Sequence, residues 1–299
     1  MNSLTSLWTP YAGTVRIKQQ IVCVGTFAIV DLWSVRNNGH IPYMSLGQWG
    51  GSVVGNDAVV VAQRIKHEGM AVTCILIQPT DADLQVARRA VGAKVVGVGT
   101  CPGMLTRSLC LEDADGSRRW VVSRHVRPSG DLEIHGAAIL YLDYYPELRG
   151  FLNRATRQVR AGHSCVFVNL SDISSIAGVP RLPFTPTVLQ ASIGTVRPSK
   201  EAFRLCSQLR ERTGAEYVFG TRGYHGAVLD TPAGRWSSKC TVGAKVGVLG
   251  SGALFSAEVI AGLSRGLKGQ ELLELVVRNT AASLQANEGY SIGGDKRIG

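Results

Sequence analysis

Acidic residues are in short supply: 22 Asp and Glu stand against 32 Lys and Arg, for a formal net charge of +10. Such a balance suits an anionic ligand, for instance a nucleotide or a sugar phosphate, or nucleic acid. The arginines are scattered, however, with short pairs at Arg88-Arg89 and Arg118-Arg119, and no basic run carries interleaved aromatics. A solvated basic surface is therefore expected, not a nucleic-acid interface. Long apolar runs are missing as well. None approaches the roughly 18 residues that a membrane span needs. The stretch Met1 to Trp8 lacks a basic segment followed by an apolar one, so no signal peptide is expected and the reading is cytoplasmic. The chain has no Cys-x-x-Cys pair, its seven cysteines are an odd number, and its six histidines show no metal-ligand spacing. This argues against a zinc site and a disulfide framework. Cys23, Cys74 and Cys165 fall inside apolar runs, where cysteine behaves as a small buried hydrophobe. With 45% hydrophobic and 18% charged residues over 299 positions, the chain is expected to be globular with a sizeable core.

What is present is a rhythm of short apolar runs and helical segments. Strands are expected at 21–25 (continued by Thr26 to Asp31), 72–77, 94–98, 137–142, 164–169 and 215–219. Helices are expected at 53–67, 80–91, 146–161, 253–263 and 269–288, and a short one near Val188. Residues 106–111 and 118–123 form a hairpin around the acidic turn Asp113-Ala114-Asp115-Gly116. Strands alternating with helices imply a mainly parallel sheet covered on both faces. Two glycine-rich stretches stand out. Gly250-Ser251-Gly252 opens a helix, and two glycines at a loop-to-helix junction let amides approach an anion, helped by the helix dipole. Thr221-Arg222-Gly223-Tyr224-His225-Gly226 forms a tight turn after a strand. Either stretch is also consistent with close packing alone.

Gly250-Ser251-Gly252-Ala253, with Ala261-Gly262-Leu263 one helix later, resembles the C-terminal signature of the ribokinase-like (PfkB) sugar and nucleoside kinases, Asp-Thr-x-Gly-Ala-Gly-Asp. Gly50-Gly51 followed by Asn56-Asp57-Ala58 resembles the family's N-terminal signature, with the Asn one residue further from the glycines. Thr221, Gly223 and Gly226 match its Thr-x-Gly-x-x-Gly hairpin. The resemblance covers about residues 21–291 in the right motif order. It implies a single three-layer α/β/α domain over 1–299 with a small β-sheet lid from about 32–47 and 96–125. It further implies ATP-dependent phosphoryl transfer to a sugar or nucleoside hydroxyl. Asp31, Gly50, Gly51 and Asn56 would then contact the sugar. Ser199, Thr221, Arg222, Gly223, Gly226, Gly250, Gly252 and Asn279 would lie along a purine nucleotide, and the lid could join two copies of the chain.

The acids of the family pattern are not kept. Its base falls on Ala253, with Gly250, Ser251 and Gly252 left as an anion hole. The cation-site Asp and Thr fall on Gly247 and Val248. The magnesium-organising Asn and Glu fall on Ser199 and Ala202, with Glu201 one position early, so the usual Mg²⁺ site is altered. Two readings follow: a kinase of impaired turnover, or a non-catalytic relative that binds a nucleotide, a sugar or a protein partner.

Overall fold

The computed structural model describes residues 21–36, 46–101, 103–113, 118–122, 137–146, 148–153, 165–173, 175–179, 181–194, 199–240 and 250–286. The N-terminal strand β1 (Ile21–Gly25) is fully buried, as is β8 (Ile139–Asp143) beside it. With β4 (Val72–Ile77), β5 (Lys94–Val98), β9 (Cys165–Asp172), β10 (Val188–Ser192) and β11 (Tyr217–Thr221) they form a parallel sheet. Two antiparallel strands, β12 (Ala227–Thr231) and β13 (Gly234–Ser238), extend one edge, giving the order β13-β12-β11-β10-β9-β8-β1-β4-β5. The central strands read as mainly apolar runs because both their faces are covered.

One face carries α1 (Asp57–His67), α2 (Asp81–Val91), α4 (Ser251–Ser264) and α5 (Gly269–Gln285) over a core that includes Cys23, Leu76, Tyr141 and Phe219. The other carries α3 (Ser199–Thr213) and the helical residues around Phe151 over Val24, Leu142 and Leu189. The three-layer α/β/α architecture is thus the one the sequence implied. Each helix is positioned by local chemistry. At α2, Thr80 and Asp83 form a reciprocal capping box, and Gly92 closes the helix in a left-handed conformation.

A separate sheet stands apart, in the order β3-β2-β6-β7, from β2 (Ile29–Arg36), β3 (Leu46–Val54), β6 (Arg107–Asp113) and β7 (Arg118–Val122). It is the lid, and its strands differ from the expected ones. Asp31 does not continue β1: the chain breaks at 26–28 and enters the second sheet. Gly50-Gly51 is not a turn leading into a helix from Val53. Both glycines lie within β3, where the pairing shifts register between Leu32 and Trp33, and α1 begins only at Asp57. Glycine in a strand at a register shift marks a bulge. The run near Val188 is a strand, not a short helix. It is five residues long and buried between two parallel neighbours, and periodicity cannot separate such a run from a helix segment. The helix expected at 146–161 falls partly outside the described residues, and Gly247 and Val248 wholly so.

Gly25 at the end of β1 has a specific steric cause. A Cβ there would sit 2.2 Å from Asp143 Oδ2 and 2.7 Å from the Ala58 methyl. The missing side chain is the space that Asp143 occupies. Gly25→Ala should destabilise the fold by about 1–3 kcal/mol in urea unfolding, the usual cost of overpacking. Combining it with Asp143→Ala should recover part of that loss, as a double-mutant cycle would record. Strict additivity would contradict this packing.

Candidate functional site

Three neighbouring parallel strands each place a polar residue on the same buried face. Asp143 of β8 is in register with Asn169 of β9, and Asn169 with Gln190 of β10. Residues paired in this way project to the same face of the sheet, on strands about 4.8 Å apart. All three are almost completely buried, at 0%, 3% and 2% exposure, so each requires a partner. The partners are the first turns of two helices. Asp143 Oδ2 accepts from the Ala58 amide at 2.8 Å, and Asn169 Nδ2 donates to Asp57 Oδ2 at 2.8 Å. Gln190 Nε2 donates to the Gly252 carbonyl at 2.9 Å, while its Oε1 accepts from Ser256 Oγ at 2.7 Å. The row thereby brings the N-termini of α1 and α4 together over the carboxyl ends of the strands, where open α/β sheets bind ligands.

At α4 the cap is Gly250, with φ +81°. It has no side chain to offer the first-turn amides, and a residue with a Cβ would be strained in this left-handed conformation. At Gly252 an added Cβ would meet only Gln190 Nε2, at 3.7 Å. The backbone of this turn is therefore approachable, as an anion site requires. Ala253, in the expected base position, is fully buried in the apolar cluster between sheet and helices.

The second glycine-rich stretch lies at the end of β11. Thr221 Oγ1 donates to the Ala191 carbonyl at 3.4 Å, and Arg222 Nη1 donates to Ser199 Oγ at 3.1 Å, so the expected nucleotide residues Thr221, Arg222 and Ser199 are brought together. Gly223 has φ +53° and is exposed. Gly226 has a structural reason to be glycine: at φ +87°, a Cβ would fall 2.0 Å from the Ser238 carbonyl oxygen. Ala202 is fully buried and offers no oxygen. Among the described residues no three His, Cys, Asp or Glu are grouped as metal ligands. The side chains at 199 and 202 therefore do not fit the carboxylate-supported Mg²⁺ shell that the resemblance implies.

The expected sugar contacts are split between the lid and α1. Asp31 of β2 pairs in register with Ser52, next to Gly51, and its carboxylate meets Arg107 Nη1 at 3.0 Å. Asn56, the N-cap of α1, does not cap that helix with its side chain, and Nδ2 donates instead to Thr26 Oγ1 at 2.5 Å. Asn279 is placed elsewhere. Its Nδ2 donates to Glu258 Oε2 at 2.9 Å, and Arg64 Nε binds Oε1 of the same buried carboxylate, at 2.9 Å, so this network ties α5, α4 and α1.

Sequence reasoning missed the residues that organise the site: Asp57, Asp143, Tyr145 and Gln190. Asp57 Oδ2 also accepts from the Tyr145 hydroxyl at 2.7 Å. For Asp143 and Gln190 the legible signal was a polar residue within or closing an apolar run.

Asp143 is perturbed. Burial, and then the charge of Asp57, push its pKa well above the ordinary value of 3.8, against bonds from Tyr141 and Ala58 that lower it. Oδ2 takes the Ala58 amide, whereas no donor among the described residues reaches Oδ1 with hydrogen-bonding geometry. Because the folded pKa is raised, this carboxyl stabilises the fold fully below its unfolded pKa and progressively less as pH climbs towards the folded value. Measured against Asp143→Asn, which keeps an acceptor for Ala58, the protein should lose stability as pH rises through and above the ordinary carboxylate range. A flat difference across that range would contradict a neutral Asp143.

No protein-family model and no curated protein sequence matches the chain. Solved structures do. A putative ribokinase from Agrobacterium tumefaciens superposes with a TM-score of 0.68 at 14% identity, covering 92% of this chain and 92% of that one. The Methanocaldococcus jannaschii nucleoside kinase, an archaeal member of the ribokinase family, gives 0.64 at 12% identity over 89% and 92%. Arabidopsis thaliana ribokinase complexed with ribose and ATP gives 0.62 at 15% identity over 90% and 93%. The chain has the ribokinase-like fold along nearly its whole length.

Proposed function

We propose that this protein binds ATP, or another purine nucleotide, with its phosphates between Gly250-Ser251-Gly252 and Thr221-Arg222-Gly223. A small sugar or nucleoside then lies under the lid near Asp31, Gly50, Gly51 and Asn56. The reaction is transfer of the terminal phosphoryl group to a substrate hydroxyl. The observation that carries the reading is the uncapped, approachable first turn of α4, held beside the first turn of α1 by the Asp143–Asn169–Gln190 row. Two helix N-termini at the carboxyl ends of parallel strands favour an anionic ligand. The A. thaliana neighbour, solved with ribose and ATP, supports the choice of ligands. We further read the protein as cytoplasmic and as a homodimer through the lid. Exposed Trp33, Val121 and Val122 support the latter. No helix among the described residues is long and apolar enough to cross a membrane.

Turnover is slow on this reading, because position 253 holds a buried methyl instead of a proton acceptor. Loss of a general base costs about 10²–10⁴ in rate. Mg²⁺ would have to be held without the usual Glu, and no step is assigned to it. A second reading, a protein that binds these ligands without transferring phosphate, draws on the same buried methyls at Ala253 and Ala202.

Thermal unfolding in the presence of nucleotides tests the binding site. ATP at a hundredfold over its Kd should stabilise the protein by about 2.7 kcal/mol. Gly252→Val should abolish that stabilisation while leaving the unliganded melting temperature within a few degrees. Unchanged nucleotide stabilisation in a folded Gly252→Val protein would remove the site. Phosphoryl transfer assayed over a panel of sugars and nucleosides then separates the two readings: measurable turnover supports the kinase, and its absence with binding intact supports the non-catalytic form.

A further inference from the structure

We propose that Asp57 is the proton acceptor for the substrate hydroxyl in the slow transfer that remains without an acid at position 253. The inference rests on the kinase reading above. Asp57 is the first residue of α1 and is half-buried. Its carboxylate is oriented from two other elements: Tyr145 donates from the segment after β8, and Asn169 from β9. Asn169 is in register with Gln190, which holds the Gly252 carbonyl. The carboxylate and the anion-binding turn are therefore anchored to adjacent strands about 4.8 Å apart. A phosphoryl-transfer site needs a proton acceptor and an anion hole held on one frame, and these two anchors supply both from neighbouring strands. Asn56, the expected sugar contact, precedes it directly in the chain.

A second observation separates Asp57 from an ordinary acidic residue at a helix start. The Asp143 carboxyl lies close enough to feel its charge, is fully buried, and has one oxygen that no donor among the described residues reaches with hydrogen-bonding geometry. Two carboxyls this close do not ionise equally, and the one shut away from solvent keeps the proton. Asp57 is the member left to carry the negative charge. Pairs of acids driven apart in this way mark sites of acid–base chemistry. Among the described residues, the groups facing Asp57 include the Tyr145 hydroxyl, the Asn169 amide, Asp143 and the Tyr141 hydroxyl.

In the step itself, the substrate oxygen attacks the terminal phosphorus of ATP and forms the new P–O bond. The bond from that phosphorus to the bridging oxygen breaks, and ADP leaves with the electron pair. The hydroxyl proton passes to the Asp57 carboxylate and is released to solvent after product departs.

The test is the kinetics of Asp57→Asn, which keeps an acceptor for Tyr145 and Asn169 but cannot take a proton. The turnover number kcat should fall at least a hundredfold, with KM and the nucleotide Kd within about twofold. The acid limb of the pH–kcat profile should vanish. Tyr145→Phe is a second probe, needed if Asp57→Asn fails to fold. Removing a hydrogen bond to the carboxylate raises its pKa, so the acid limb should move to higher pH. Wild-type turnover that survives Asp57→Asn, or an acid limb unmoved by Tyr145→Phe, overturns the assignment and leaves the kinase reading standing. If the wild-type protein binds ATP but transfers no phosphate to any acceptor, the kinase reading falls, and this assignment falls with it.

Discussion

The structure depends on one constraint: three polar side chains buried in a row on neighbouring strands must find partners. Asp143, Asn169 and Gln190 satisfy it by binding the first turns of α1 and α4. A buried polar group without a partner costs about 1–3 kcal/mol, and more if charged. The row therefore fixes where both helices begin. Gly25 leaves room for Asp143, and Ser256 completes the bonding of Gln190 from within α4. Moving either helix by one turn would strand at least one of these groups.

From that constraint follows the character of the site. The Asp143 carboxyl caps α1 from β8, so the true N-cap, Asn56, turns its side chain to Thr26. Gln190 binds a carbonyl of α4, not an amide, and leaves the amides of the first turn to a ligand. The Arg64–Glu258–Asn279 network then locks α1, α4 and α5 together behind the site. A ribokinase-like frame thus surrounds positions 253 and 202, which hold buried methyl groups. The frame does not need acids there to fold, because the polar row and the apolar core hold it.

Much of the frame was legible in the sequence. Strands such as Val72–Ile77 and Lys94–Val98 are continuous apolar runs, and the α2 start was announced by Thr80 and Asp83. The glycine turns at 221–226 and 250–252 were also visible, since their conformations need glycine. The rest was not, for physical reasons. Val188–Ser192 is too short to show a period, and its identity comes from the strands on either side. Gly50-Gly51 reads as a turn locally, yet pairing with β2 makes it part of a bulged strand. The functional weight of Asp57 and Asp143 comes from their nearness to each other, across 86 residues of chain, which no local pattern reports. Asn279 lies on the expected helix, but its amide partner is a core glutamate that only packing reveals.

The central claim is that the row presents the first turn of α4 as a phosphate site. A crystal structure with bound ADP or a non-hydrolysable ATP analogue tests it most directly. The account predicts phosphate oxygens on the amides of Ser251 and Gly252, with the Gln190–Gly252 and Asn169–Asp57 hydrogen bonds intact. Phosphates bound away from that turn, or a nucleotide that binds only after these two bonds break, would contradict it.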